Sequence, residues 1–280
     1  MVATTSAGDL LRSWRQRRRF SQRDLGARAA STARHIGDLE SGQAAASHEM
    51  LIRLAEALSI PIRDRNALLT AAGYAPLYSD TAPDAPAFPR AALDEMLAAA
   101  EPNPAVAIDG HWTIQASNKA AWRLFAGVDP LLTSAPANLL RLCLHPAGLA
   151  PRIVNLREWR RHAIDRLEAA IDATGDPRLS DLVEEIHDFP LPKLAPARGG
   201  RGRYDTPVVP MQLVTIDGTL SLIAATTLFW PAVDAALSEL TVETFMPADK
   251  QTRAILRAMA ARAAGRAGSI VPLRERRKSA

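Results

Sequence analysis

In a chain of 280 residues, chemistry is sought first among histidines, cysteines, paired carboxylates and glycine-rich turns, and here each is sparse. The six histidines, His35, His48, His111, His145, His162 and His187, never fall at zinc-ligand spacing with a carboxylate partner. Glu184 and Glu185 are adjacent on a predicted helix, so they point in different directions and form no acid–base dyad by themselves. Gly199-Gly200-Arg201-Gly202 lacks the lysine and the following helix of a phosphate loop. The single cysteine, Cys143, lies between Leu142 and Leu144, which predicts a buried, inert thiol and excludes both an internal disulfide and a multi-cysteine metal site. The expectation is a protein without catalytic residues, metal or cofactor, and not an enzyme.

The stronger chemical signal runs from Ser21 to Gly42. Ser21 and Thr32 each supply a side-chain oxygen able to cap a helix. Gly26, Ala29 and Ala30 let two helices pack closely across a tight turn, Leu25, Ile36 and Leu39 lock them together, and Gly42 ends the second. This is the spacing of a helix-turn-helix, whose second helix lies in the major groove. Arg34 can bond a guanine edge with two hydrogen bonds, and Ala33 offers only a methyl contact, to thymine. Asp38 either accepts from cytosine or repels phosphate. Arg17, Arg18 and Arg19 read as a phosphate contact or as a solvated face, and His35 and His48 as packing or capping residues.

With Leu51-Ile52-Arg53-Leu54-Ala55-Glu56-Ala57-Leu58 included, this segment resembles the phage-repressor-like (XRE-type) regulators. The resemblance implies that Gln22 and Thr32 grip phosphate or buttress the reading helix, that Ala33, Arg34 and Asp38 face base edges, and that Ser41 and Ser47 lie near the DNA backbone. It also implies a partly buried ion pair between Arg15 and Glu40.

The elements that must position these residues are short amphipathic helices. Apolar residues recur at helical spacing in Leu10, Leu11 and Trp14, in Leu25 and Ala29, in Ile36 and Leu39, and in Leu51, Leu54 and Leu58, and the segment before the linker reads as five short helices in about seventy residues. Residues 81–89 carry three prolines and read as a linker. Beyond it the pattern changes. Val106–Ile108, the turn Asp109-Gly110, and Trp112–Ala116 predict a hairpin. Asn118–Phe125, Leu156–Ala173 and Arg178–Ile186 read as helices, with Asn155 as a helix cap. Residues 190–207 read as a loop. Val208–Thr215, Thr219–Trp230 and Ser238–Phe245 read as strands, and Ala248–Ala264 as a helix. This order predicts an α+β domain on one antiparallel sheet.

More of the second domain matches a narrower pattern. The stretch Trp112–Phe125 resembles the opening of PAS-type sensors. Asn138–Leu142, Leu144–Leu156, Glu158-Trp159 and Phe245–Asp249 resemble the C-terminal domain of MmyB-like transcription regulators, although Trp230-Pro231 departs from it by placing a bulky ring before the proline. The resemblance implies a PAS-like module enclosing a hydrophobic, fatty-acid-like molecule. Trp112, Trp122, Phe125, Leu139, Leu142, Trp159, Met211, Leu213, Phe229 and Phe245 are the expected apolar lining, and Arg141, His145 and Arg152 are candidates for holding an acidic head group. Aromatics at these spacings also serve as ordinary core, and His145 before Pro146 equally fits a turn fixed by a backbone hydrogen bond.

Charge supports the same division. Residues 1–75 are net +4, residues 76–250 net −7 and residues 251–280 net +7, the asymmetry expected when only part of a chain meets a polyanion. The expected architecture is therefore an all-α, repressor-like helix-turn-helix domain (1–80), a linker (81–89), an α+β PAS-like ligand-binding domain with an antiparallel sheet (90–262), and a basic, disordered tail (263–280). The most apolar window, Leu220–Leu237, carries Pro231 and Asp234 and reads as strand and turn, not as a membrane span. With no secretory leader, this implies a cytoplasmic regulator of a double-stranded DNA operator, acting as a homodimer, away from membranes, and sensing a small hydrophobic ligand. The alternative is a second domain serving only as a dimerisation or protein-partner scaffold.

Overall fold

A computed structural model of the chain describes residues 5–81, 90–191, 209–229 and 234–267. Most of the expected linker and of the 190–207 loop, Trp230-Pro231 and the tail past Ala267 lie outside the described residues. The chain divides into two compact units, one of residues 1–88, 167–180 and 228–240, the other of residues 89–166, 181–227 and 241–280.

The first unit opens with the five expected helices: α1 (Ala7–Arg17), α2 (Gln22–Arg28), α3 (Ala33–Glu40), α4 (His48–Ala57) and α5 (Ile62–Ala71). Ser6, Ser21, Thr32 and Ser47 begin the first four, each accepting from the backbone N–H three residues on. At Ser21 the cap is reciprocal, because the Asp24 carboxylate accepts from the Ser21 N–H at 2.9 Å. Leu11 and Trp14, Leu25, Ile36 and Leu39, Leu51 and Leu54, and Leu68 and Leu69 meet in one core, each contributing about 1.5–3 kcal/mol of burial before entropy is set against it. Two close approaches fix the geometry. A Cβ on Gly26 would stand 3.0 Å from the carbonyl carbon of Thr32, and one on Gly8 would stand 2.7 Å from the carbonyl oxygen of Leu39. The backbone of α1 therefore lies almost against the end of α3.

After α5 come α6 (Arg90–Ala99), β1 (Ala105–Ile108), β2 (Ile114–Ser117), α7 (Lys119–Leu124), α8 (Pro130–Thr133), α9 (Leu139–Leu144), α10 (Leu156–Thr174), α11 (Pro177–Asp188), β3 (Met211–Thr215), β4 (Gly218–Leu228), α12 (Ala235–Glu239), β5 (Thr241–Pro247) and α13 (Lys250–Ala267). The last turns of α10, the first of α11 and all of α12 belong to the first unit. The five strands form one antiparallel sheet in the order β2-β1-β5-β4-β3. The β1–β2 hairpin turns where Asp109-Gly110 predicted, and the Asp109 carboxylate accepts from the N–H groups of His111 and Thr113 at 2.8 and 3.0 Å. Asn118, only 6% exposed, joins three elements. Its Oδ1 accepts from Ala105 N and Ala121 N, and its Nδ2 donates to the carbonyls of Asn103 and Leu97.

Three expectations are corrected here. Ser238 and Glu239 belong to α12, not to a strand, because the Asp234 side chain accepts from Leu237 N and starts a helical turn. The last strand therefore begins at Thr241, and β4 stops at Leu228, one residue before Phe229. Asn155 is no side-chain cap: its Oδ1 accepts from Gln212 N and its Nδ2 donates to the carbonyl of Pro210, both at 2.9 Å, which ties the start of α10 to the start of β3.

Candidate DNA-reading helix and ligand cavity

At the start of α3, Thr32, Ala33 and Arg34 are exposed on one turn, and Asp38 follows one turn later, half-buried. Thr32 Oγ1 is used in capping, accepting from His35 N at 3.1 Å. Ser47 likewise caps α4, and Ser41 donates to the carbonyl of Asp38 at 3.2 Å. Gln22 faces inward from the neighbouring helix. Its Nε2 donates to Glu40 at 3.1 Å and its amide lies against Gly37, so it supports α3 from behind.

Behind this face stands the expected ion pair. Arg15 donates to both oxygens of Glu40, at 2.5 and 2.8 Å, and the Glu40 side chain is completely enclosed. Burial raises the Glu40 carboxyl, but the bonds from Arg15 and Gln22 and the charge of Arg12 outweigh it and hold the group below its ordinary value. The bond to Glu40 raises Arg15 in turn. What remains outward is the exposed first turn of α3, which in a helix-turn-helix is the end of the second helix that meets base edges.

The second unit holds a cavity between α9, α10 and the sheet. Leu139, Leu140 and Cys143 form one wall, Trp159, His162, Ala163 and Arg166 another, and Ala224, Glu243 and Phe245 the sheet side, with Trp112 at the edge. It encloses about 20 Å³, room for one water-sized group. Glu243 is 1% exposed. It accepts from Arg166 at 2.6 and 3.3 Å and from Thr226 Oγ1 at 2.7 Å. The Arg166 guanidinium also lies 4.6 Å from the centre of the Trp112 ring.

Two features of this cavity are costly. Trp112 has φ +66°, a left-handed conformation that costs a bulky residue about 1–3 kcal/mol unless its surroundings impose it. They do so here, because Trp112 N donates to Asp109 and its carbonyl accepts from Leu139 N. Trp159 is 6% exposed, and its indole Nε1 has no hydrogen-bond partner, an arrangement worth about 1–3 kcal/mol against folding. Burial pushes the Cys143 thiol up to about 12, so the sulfur stays protonated and unreactive near neutrality.

Of the expected lining, the structure brings Trp112, Leu139, Trp159 and Phe245 to this cavity. Leu142, Met211 and Leu213 are core residues away from it. Phe125 is buried edge-to-face against Trp122, which is 45% exposed, and neither lines it. Phe229, half-buried past the end of β4, does not line it either.

The cations expected to hold an acidic head group are occupied elsewhere. Arg141 grips Glu185 with three hydrogen bonds, the shortest 2.6 Å. Arg152 donates to the carbonyls of Leu124 and Ala126. His145 Nδ1 accepts from Ala147 N at 3.0 Å, fixing the turn through Pro146.

Sequence reasoning missed Glu243, Arg166 and His162. The helical spacing of Trp159, His162, Ala163 and Arg166 marks one face of α10 and was the available signal. A second recess, of about 230 Å³ and open to solvent, is lined by Pro146, Ala150, Pro151, Leu156, Pro190 and Leu191. It is larger but offers no polar side chain, whereas the smaller cavity combines apolar walls with a few placed polar groups, as binding sites do. Among the described residues no cluster of His, Cys, Asp and Glu is arranged to hold a metal ion, and no helix is long and apolar enough to cross a membrane.

Comparison with known proteins agrees with this division. No curated protein sequence matches the chain significantly. Residues 6–68 match the family model of a helix-turn-helix domain. Residues 89–259, more than half the chain, match that of the MmyB-like transcription regulator ligand binding domain. A buttressed reading helix in one part and a small polar-edged cavity in the other are what such a protein requires, and the chain belongs to this family: a DNA-binding helix-turn-helix regulator with an MmyB-like domain for a small-molecule ligand.

Proposed function

We propose that this regulator binds a specific double-stranded operator in the cytoplasm as a homodimer of the phage-repressor (XRE) type. Its second domain senses a small hydrophobic, fatty-acid-like or acyl-bearing effector and catalyses nothing. The observation that carries the sensing role is a cavity walled by Leu139, Leu140 and Phe245 and edged by the polar side chains of His162, Arg166 and Glu243, the mixture of apolar walls and a few placed polar groups that small-molecule sites use. A dimer reads two half-sites about 34 Å apart. A ligand alters operator affinity only by binding differently to two states of that dimer.

The alternative role, a dimerisation or partner scaffold without a ligand, is favoured by the small volume of the cavity, about 20 Å³. Denaturing the protein as purified from cells and analysing the organic extract by mass spectrometry separates the two. A stoichiometric acyl compound is the expected result. An extract without one, together with no saturable uptake of acyl probes, supports the scaffold.

A further inference from the structure

The first unit is not built from residues 1–88 alone. Residues 167–180 and 228–240 complete it, and both continue elements that wall the cavity. Helix α10 carries Trp159, His162 and Arg166 and reaches Asp172 less than two turns later, while 228–240 joins the strands of Ala224 and Glu243. We infer that Arg18 and Arg63 clasp the head formed by α1–α5 to these two segments and thereby fix the spacing of operator half-sites that the regulator accepts. The inference rests on the reading of the protein as a dimer on two half-sites.

Arg18 follows the last residue of α1, within the basic run that read as a phosphate contact or a solvated face. Its guanidinium is spent on four main-chain carbonyls. Nε donates to Leu58 at 2.8 Å and a terminal nitrogen to Ser59 at 3.0 Å, where α4 ends. The terminal nitrogens also donate to Asp172 and Ala173, at 3.2 and 3.0 Å, in the last turn of α10. Helix ends leave carbonyls without intrahelical partners and carry partial negative charge, so two such ends repel one another unless a cation lies between them. Arg18 is that cation. A planar guanidinium spreads its donors in fixed directions and spans both ends, which the compact ammonium of a lysine does not. Arg17 lies against the following turn, where a Cβ on Gly175 would fall on its guanidinium.

The second clasp lies on α5. Arg63 donates through Nε to Glu239 of α12 at 2.8 Å, and its other arm pairs with Asp80. The chain leaving α5 is tied to the same helix, because Asp234 accepts from Thr81 N at 2.9 Å and Ala235 N donates to the carbonyl of Ser79 at 2.7 Å. A head gripped at the ends of α1 and α4 by one segment and on α5 by another has no single hinge about which to turn. Each base pair added between half-sites moves the second by about 3.4 Å and rotates it by about 35°. A clasped head does not follow that displacement; a head held only by its chain does.

The test uses full-length protein and a duplex that the wild type selects from random-sequence DNA. Two base pairs are inserted between its half-sites, and affinity is measured by fluorescence anisotropy at one fixed salt concentration. The wild type is expected to lose about ten-fold or more. Arg18→Ala/Arg63→Ala is expected to lose about three-fold or less, while binding a duplex with one half-site as the wild type does. Unfolding of the head would weaken that single-site binding; relaxed spacing with single-site binding intact is what a positioning role alone produces. If the double variant is as strict as the wild type, the inference is overturned while the dimer reading stands. If the selected duplexes carry one half-site, bound by one chain, the dimer reading fails and the inference with it. Arg18→Lys decides the matter should the double variant not bind the single half-site: it keeps the charge and is expected to relax the spacing in the same direction, and strictness equal to the wild type overturns the inference.

Discussion

At the scale of single residues, the exposed face of α3 and the α2 side chain that supports it from behind respond differently to substitution. Arg34 is exposed at the first turn of α3. Arg34→Ala is expected to cost about 1–3 kcal/mol at a single base position and to leave folding and ligand binding intact. Operator variants measured in a mobility-shift series check this; a uniform loss across all sequences would make Arg34 a phosphate contact instead. Gln22 has the opposite orientation, toward Glu40. From sequence alone it stood equally for a phosphate contact and a buttress, because an amide side chain serves either use and only the position of its neighbour decides. The cavity shows the same limit. Trp159 and Phe245 were legible as large apolar residues, but the Arg166–Glu243 pair joins two segments 77 residues apart, and no local pattern announces such a meeting.

At the scale of elements, legibility followed the presence of a local chemical signal. Caps at Ser21 and Thr32, the Asp109-Gly110 turn and the long periodic helix from Leu156 were readable because each is specified within a few residues. The short α9, entirely apolar but for Arg141, has no polar face to reveal its period. The helical turn at Ala235–Glu239 depends on a cap from Asp234 inside a stretch that otherwise reads as strand. The contact of α1 with α3 was illegible for a different reason, since a glycine within a helical run ordinarily only weakens the helix. At Gly8 its role is tertiary: Gly8→Ala drives a methyl into the carbonyls of Leu39 and Glu40. The loss is expected to be about 1–3 kcal/mol, although alanine is the better helix former. A urea titration that shows Gly8→Ala unchanged or more stable would show that the two helices can move apart freely.

At the scale of the whole molecule, pH acts on stability through several carboxylates at once. Glu40, Asp9, Asp24 and Asp234 are held below their ordinary values, while burial raises Asp64. The four lowered groups contribute stability that is complete above their unfolded values and is lost as pH falls through their folded ones; Asp64 works the other way. Glu40 and Asp234 are buried and both are lowered, so their sign dominates, and the urea midpoint is expected to fall as pH drops below about 4.5. A midpoint that holds steady or rises over that range would show the Arg15–Glu40 pair to be without net effect. Glu40→Gln should lessen the acid sensitivity while lowering stability near neutrality.

The wall of the cavity holds the chain's one thiol. Cys143 is buried and protonated while the cavity is closed, and no second thiol competes for a label. Its rate of alkylation therefore counts openings: each modification event records a moment when the wall parted. An effector that fills the cavity and keeps it shut is expected to slow that count, one that props it open to quicken it, and a molecule bound elsewhere without changing the opening to leave it alone. The same atom can retain what it detects, because a library of small disulfides equilibrated with the protein would be enriched in those whose other end fits the opened space.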